Sequence, residues 1–168
     1  MRERGYFTAQ VCPNGHVVTQ TFDATPQHSE QFCTRCGAKT LTACLGCGEP
    51  IRGAYQWGTT NLAGEPAGDW NYRPPSFCPQ CGRPYPWTET SLKAARELAD
   101  ETEELSSDER EQLKRSLDDL VTDTPRTGLA IVRFKKLATK GGQVVAQGLK
   151  QILVSVVTEA VRKQIWPS

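Results

Sequence analysis

From Thr90 onward the apolar residues recur at helical spacing. Leu92, Ala95, Leu98 and Ala99 fall on one face of a helix that Thr90 or Ser91 caps. Ser106 or Ser107, ahead of Asp108-Glu109, opens a second helix. Its Leu113, Leu117, Leu120 and Val121 follow at spacings of four, three and one. Thr124-Pro125 reads as a cap with proline at the first helical position, opening a segment that carries Leu129, Val132 and Leu137. Gly141-Gly142 breaks that segment, and one last helix is expected from about Gln143 to Ile165. There Val145, Leu149, Ile152, Leu153, Val156, Val157 and Ala160 share a broad apolar face. Val154 and Val161 extend it to about half the circumference, Gln151, Ser155 and Arg162 lie opposite, and Glu159 sits at one edge. So wide a face predicts burial against several helices, against a second copy or another protein partner, or against a lipid surface.

The first half has no such period. Val11, Val17, Val18 and Phe22 form brief β-prone pieces, and Ile51, Tyr55 and Trp57 another, among many turn residues. Pro84-Tyr85-Pro86-Trp87 ends this part, since neither proline extends a ladder or helix freely. Residues 1–87 therefore read as a small β module and residues 88–168 as an α-helical C-terminal region. No run of about 18 apolar residues is present, so no conventional spanning helix is expected. Met1 to Phe7 lacks the apolar stretch of a secretory signal, which predicts a cytoplasmic protein, peripheral to a membrane at most.

Composition explains what must hold the β module together. Hydrophobic residues are 38% of 168, below the usual share of about 45–50%. Seven cysteines, already counted in that share, point to a metal staple in place of a larger core. Cys33/Cys36, Cys44/Cys47 and Cys78/Cys81 are Cys-x2-Cys pairs, and His16 completes a fourth pair with Cys12. Eight ligands make two tetrahedral zinc sites with nothing left over. Gly37, Gly48 and Gly82 each follow a second cysteine, where a tight turn asks for positive φ. A disulfide framework would leave one cysteine odd and needs an oxidising compartment. His28, between Gln27 and Ser29, reads as an exposed loop residue rather than a ligand.

Sequential pairing puts Cys12, His16, Cys33 and Cys36 on one zinc and Cys44, Cys47, Cys78 and Cys81 on the other. A cross-braced arrangement, joining the first pair with the third and the second with the fourth, is the alternative. The seven residues between Cys36 and Cys44 favour the sequential ribbons over cross-bracing. Either way four protein ligands close each site, which makes both zinc ions structural. The 30 residues between Cys47 and Cys78 carry Tyr55, Trp57, Trp70 and Tyr72. These aromatics either cover a thin ribbon core or form an exposed recognition loop.

Charge divides the helical region in two. Residues 1–87 hold seven basic and six acidic side chains, residues 88–124 five and twelve, and residues 125–168 eight and one. The acidic block and the basic amphipathic block either pack together, or the basic block meets anionic lipid or a nucleic-acid backbone. The acidic block could then mask that basic surface until it is triggered.

These motifs resemble an uncharacterised bacterial double zinc-ribbon family, a domain of unknown function with a helical C-terminal extension. The likeness rests on Val11-Cys12-Pro13-Asn14-Gly15-His16, Phe32-Cys33-Thr34-Arg35-Cys36-Gly37-Ala38, Cys44-Leu45-Gly46-Cys47 and Ile51-Arg52-Gly53. Phe77-Cys78-Pro79-Gln80-Cys81-Gly82 continues it into Pro86-Trp87 and Thr88-Glu89. It implies tandem zinc ribbons and brings no established activity. The tail, from Arg133-Phe134-Lys135-Lys136-Leu137 to Ile165-Trp166, is similar to C-terminal helices of other small bacterial proteins, which implies a place in stress or anti-phage systems.

No phosphate loop or nucleophile motif appears, and no small-molecule substrate is expected. The reading is a non-enzymatic adaptor whose ribbons recognise a macromolecule and whose tail self-associates or docks on a protein partner. Nucleic-acid binding is the second expectation, against which stands the near-neutral ribbon module. A membrane-acting effector using the C-terminal amphipathic helix is the third.

Overall fold

A computed structural model of the chain describes residues 5–58 and 60–167. Its contacts divide it into two compact units, Met1–Thr88 and Glu89–Ser168.

The first unit holds four short strands: β1 (Tyr6–Thr8), β2 (Gln10–Val11), β3 (Val17–Thr19) and β4 (Arg52–Tyr55). They form two antiparallel pairs. Tyr6 faces Tyr55 and Thr8 faces Arg52 between β1 and β4, while Gln10 faces Thr19 and Val11 faces Val17 between β2 and β3. The strands stay short because turns interrupt every β-branched run. Each Cys-x2-Cys turn is itself pinned by a single bridge: Phe32 to Lys39, Ala43 to Pro50, and Phe77 to Pro84. Phe7, Ala9, Val11, Ile51 and Ala54 are buried, and Tyr85 stacks on Trp87 at 4.5 Å between ring centroids. The Trp87 indole donates to the Pro75 carbonyl, so its one polar atom is satisfied. Gly53 in β4 lies so close to neighbouring backbone that a Cβ there would meet the Gln20 carbonyl oxygen at 2.1 Å and that of Phe7 at 2.9 Å.

Five helices follow: α1 (Pro86–Asp100), α2 (Ser107–Val121), α3 (Thr127–Lys140), α4 (Gln143–Leu153) and α5 (Glu159–Ile165). Helix α1 begins at Pro86, four residues ahead of the expected Thr90 cap. Proline is pre-set for the first helical turn, so Pro86 starts a helix where the sequence reading has it end a module. Helix α2 has the expected Ser106 cap as a full capping box: the Ser106 hydroxyl accepts from the Glu109 amide, and the Glu109 carboxylate accepts from the Ser106 amide. Helix α3 starts at Thr127 rather than after Thr124, because the Thr124 hydroxyl accepts from the Arg126 amide in a local turn. Ala130, Ile131, Phe134, Leu137 and Ala138 form the buried face of α3, and Leu129 and Val132, which the sequence reading grouped with Leu137, lie off that arc and are exposed.

The expected helix from Gln143 to Ile165 is two helices. The chain leaves α4 after Leu153, and Thr158 caps α5 by accepting from the Val161 amide. The break resets the phase of the apolar residues. Leu149, Leu153, Val156, Val157 and Val161 are therefore all buried inside the helical unit, while Val145 and Ile152 are half-buried and Ala160 is exposed. Helix α3 packs against α2, α4 and α5, and Phe134 meets Trp166 edge-to-face. Ion pairs Lys140–Glu109 and Arg126–Asp119 join the basic α3 region to the acidic α2. Among the described residues no helix is long and apolar enough to cross a membrane.

Candidate metal centres

The four cysteine and histidine pairs meet in two groups. Cys12, His16, Cys33 and Cys36 form one, and Cys44, Cys47, Cys78 and Cys81 the other, with the ligand atoms of each group within 4.8 Å of one another. In the second, third and fourth turns the first cysteine amide donates to the carbonyl five residues on. Thus Cys33 bonds Ala38, Cys44 bonds Glu49 and Cys78 bonds Arg83, each at 2.8 Å. Gly37, Gly48 and Gly82 adopt φ of 72°, 78° and 72°, the left-handed region in which a side chain is strained. Each turn thereby aims both sulfurs to the same side. The Cys12 turn is one residue longer, and Gly15 takes the positive φ within it.

Sulfur separations are 3.7 Å for Cys12–Cys36, 3.7 Å for Cys44–Cys81 and 3.6 Å for Cys47–Cys78. All seven cysteines are free, and these distances far exceed the roughly 2.05 Å of a disulfide. They are edges of a tetrahedron around a common centre. His16 presents Nδ1, which lies 3.5 Å from both the Cys12 and Cys33 sulfurs. The first cysteine of every pair is buried and the second, or His16, is more open.

Backbone and side-chain donors surround the sulfurs. The Asn14 amide donates to Cys36 at 3.3 Å, the His16 backbone amide to Cys12 at 3.3 Å, and the Gly46 amide to Cys44 at 3.4 Å. Without a cation the thiols of each group disagree over their protons. The Asn14 hydrogen bond, then the Ala38 amide, brings Cys36 down to about 6, while burial pushes Cys12 up. Burial opposes ionisation of Cys78, yet the Cys81 and Gln80 amides bring it down to about 6. At Cys47 the Glu49 amide favours the thiolate, but burial and the Cys81, Cys78 and Cys44 thiols outweigh it and push it up to about 12. A bound cation removes the conflict by stabilising every thiolate at once. The buried Tyr85 hydroxyl is raised as well, by burial first and then by the charge of Cys78 beside it. Both groups thus fit metal ions.

The model of a bacterial family described as "Uncharacterized protein conserved in bacteria (DUF2321)" matches residues 5–165. The chain belongs to this family. No curated protein and no solved structure matches it. The DUF2321 match spans both units, so the helical region belongs to the family pattern as the cysteine turns do.

The aromatic residues of the insertion divide. Tyr55 and Tyr72 are half-buried, and the Tyr72 hydroxyl donates to the Arg52 carbonyl at 2.6 Å. Trp57 is 78% exposed and Trp70 fully exposed. The tyrosines therefore cover the ribbon and the tryptophans project from it. His28 is exposed, 3.8 Å from Glu65 and away from both clusters. Asn14 is the contributor that sequence reasoning passed over. Its signal was its place between two ligands, in Cys12-Pro13-Asn14-Gly15-His16.

Proposed function

We propose that this chain is a non-enzymatic adaptor whose ribbon unit is stapled by two structural zinc ions. The observation that carries the reading is the closure of both clusters by four protein atoms each. Zinc bonds of about 2.3 Å to sulfur and about 2.05 Å to nitrogen set tetrahedral edges of about 3.8 Å between sulfurs and about 3.6 Å from sulfur to nitrogen. The separations of 3.6 and 3.7 Å, and of 3.5 Å to His16, support that ion and that geometry. A zinc so enclosed has no position for water or substrate, so it shapes the fold and takes no part in a reaction. Seven reduced thiols suit a cytoplasmic setting.

The metal-stapled unit offers exposed tryptophans to a partner, which is the usual chemistry of an interaction anchor. The helical unit offers a different face from the one its sequence suggests. Val145, Leu149, Ile152, Leu153, Val156, Val157 and Ala160 serve mainly its own core, so docking or self-association falls to the outer face of α3. Leu129 and Val132 are 48% and 65% exposed there, beside Arg133, Lys135 and Lys136. Light-scattering mass of the full chain, alone and as Val132→Asp, tests this: a defined multimer that the substitution dissociates places assembly on α3. A monomer in both cases leaves the helices to a different partner.

Those three cations, with Lys150, have no acidic partner among the described residues, which favours a second reading. In it α3 rests on an anionic membrane surface or a nucleic-acid backbone. Salt-sensitive binding to anionic vesicles or to DNA, lost in Lys135→Glu/Lys136→Glu, would support it.

A further inference from the structure

A buried pair of aromatic rings joins the two clusters of the ribbon unit. Tyr85 and Trp87 are 1% and 2% exposed and lie almost parallel, with centroids 4.5 Å apart and planes 12° apart. Each ring reaches a different cluster. The Tyr85 hydroxyl meets the Cys78 sulfur, within the charge of Cys44 and Cys47. Trp87 packs against the turn that carries Cys12 and His16. A Cβ placed on Gly15 there would lie 3.2 Å from the Trp87 Cβ and 3.7 Å from its Cγ. Gly15 also has a φ of 85°, so backbone and packing both ask for glycine.

Both ends of the pair are fixed to ligand turns. The Tyr85 amide donates to the Ser76 carbonyl at 3.0 Å, and the Thr88 hydroxyl to the same carbonyl at 2.8 Å. The Trp87 indole donates to the Pro75 carbonyl at 2.9 Å. These acceptors stand just ahead of Cys78, so the stack and the Cys78 turn form one piece. At the other end the Gly15 amide donates to the Cys12 carbonyl at 2.9 Å, and the Cys12 amide to the His16 carbonyl at 3.0 Å. Asn14, in the same turn, donates to the Cys36 sulfur. Three ligands of the first cluster thus depend on the turn that Trp87 supports.

This arrangement lets one cluster feel the other. When the second cluster is filled, Cys78 and Cys81 are tied to Cys44 and Cys47. Emptied, it no longer holds the Cys78 sulfur against the Tyr85 hydroxyl, which is left as a buried polar group without an acceptor. The stack loosens, the Gly15 turn loses its support, and the ligands of the first cluster lose their alignment.

We infer that the Tyr85–Trp87 pair couples the two metal centres, so that the ribbon unit takes up and gives up its two ions together. Tyr85 positions Cys78, and Trp87 positions the Cys12–His16 turn. A backbone connection also runs between the clusters, through the reciprocal bonds of Val11 and Leu41 at 2.9 and 2.8 Å. Substitutions in the aromatic pair leave those bonds in place, which separates the two routes. The inference rests on the reading of both clusters as zinc sites and extends it to how they fill.

The test is native mass spectrometry of the reduced, zinc-loaded full chain, before and after a chelator has removed half the metal. Coupling of about a hundredfold leaves about one chain in ten with a single ion, against about one in two for equal, independent sites. Trp87→Leu should therefore raise the singly loaded fraction about fivefold. Tyr85→Phe keeps the ring stack and removes only the hydroxyl. It should raise that fraction at least about twofold, with amide resonances of 44–49 showing the four-cysteine cluster as the empty one. Amide dispersion at saturating zinc shows whether each variant folds, and Tyr85→Phe decides if Trp87→Leu does not. A singly loaded half in the unaltered chain overturns the coupling. The unaltered pattern in either folded variant breaks the route at that residue and overturns the role of the pair, leaving the coupling to the Val11–Leu41 backbone. Two ions per chain before chelation uphold the zinc reading in each of these cases, and fewer than two overturn both.

Discussion

Single residues carry much of the ribbon unit because its core is thin. Gly53 is the clearest case: a methyl group there would sit on the Gln20 carbonyl, which is backbone and has nowhere to go. We expect Gly53→Ala to cost about 3 kcal/mol, the upper end of the overpacking range, measured by denaturant unfolding of the metal-loaded protein. Glu109 makes a different kind of contribution. Lys140, then the Ser106 amide, holds its carboxyl below the usual value of 4.5. A depressed carboxyl stabilises the fold above its unfolded pKa, and the contribution disappears as pH falls through the lower folded value. Glu109→Gln should therefore lower the melting temperature at pH 7 and make little difference near pH 3. An equal loss at both pH values would show that the side chain acts through packing instead. The ligands were legible in the sequence because eight residues at fixed spacing have few other uses. Gly53 was not, since nothing in Ile51-Arg52-Gly53 announces a carbonyl 33 positions earlier in the chain.

At the scale of elements, local signals worked where the chemistry is local. The Ser106 capping box and the Gly141-Gly142 break stand where the sequence predicts them. They failed where two local signals compete. Thr124-Pro125 looks like a helix start, but the Thr124 hydroxyl turns the chain first. Residues 143–165 look like one helix because periodicity continues across the break; only the Thr158 cap, followed by Glu159, marks the second start. The consequence is measurable on α2 and α3. Leu117 is fully buried and Val132 largely exposed, although both lie at helical spacing in apolar stretches. Leu117→Ala should cost about 2–5 kcal/mol, and Val132→Ala less than about 0.5 kcal/mol. Similar losses at both would mean that α3 is turned the other way.

For the whole molecule, the two units draw on different sources of stability. The helical unit buries Leu113, Leu117, Leu120, Phe134, Leu137, Leu149 and Leu153, a core of ordinary kind. The ribbon unit buries few large side chains and relies on its clusters. Chelation should accordingly collapse the ribbon unit alone. After zinc removal the helical circular dichroism should persist with a cooperative melt, while the amide dispersion of residues 6–85 is lost. Loss of both together would mean that the helices do not hold a core of their own. The apolar tail residues read as an assembly surface in the sequence because the pattern shows how much apolar surface a helix carries, and not which neighbour covers it.

The most direct measurement is zinc K-edge absorption on the purified full chain, together with its metal content. The account predicts two zinc ions per chain, with an average first shell of 3.5 sulfurs and 0.5 nitrogen, sulfur lying at about 2.3 Å. Fewer than two ions, or an oxygen ligand in the first shell, would contradict closed structural sites and reopen the question of chemistry at the metal.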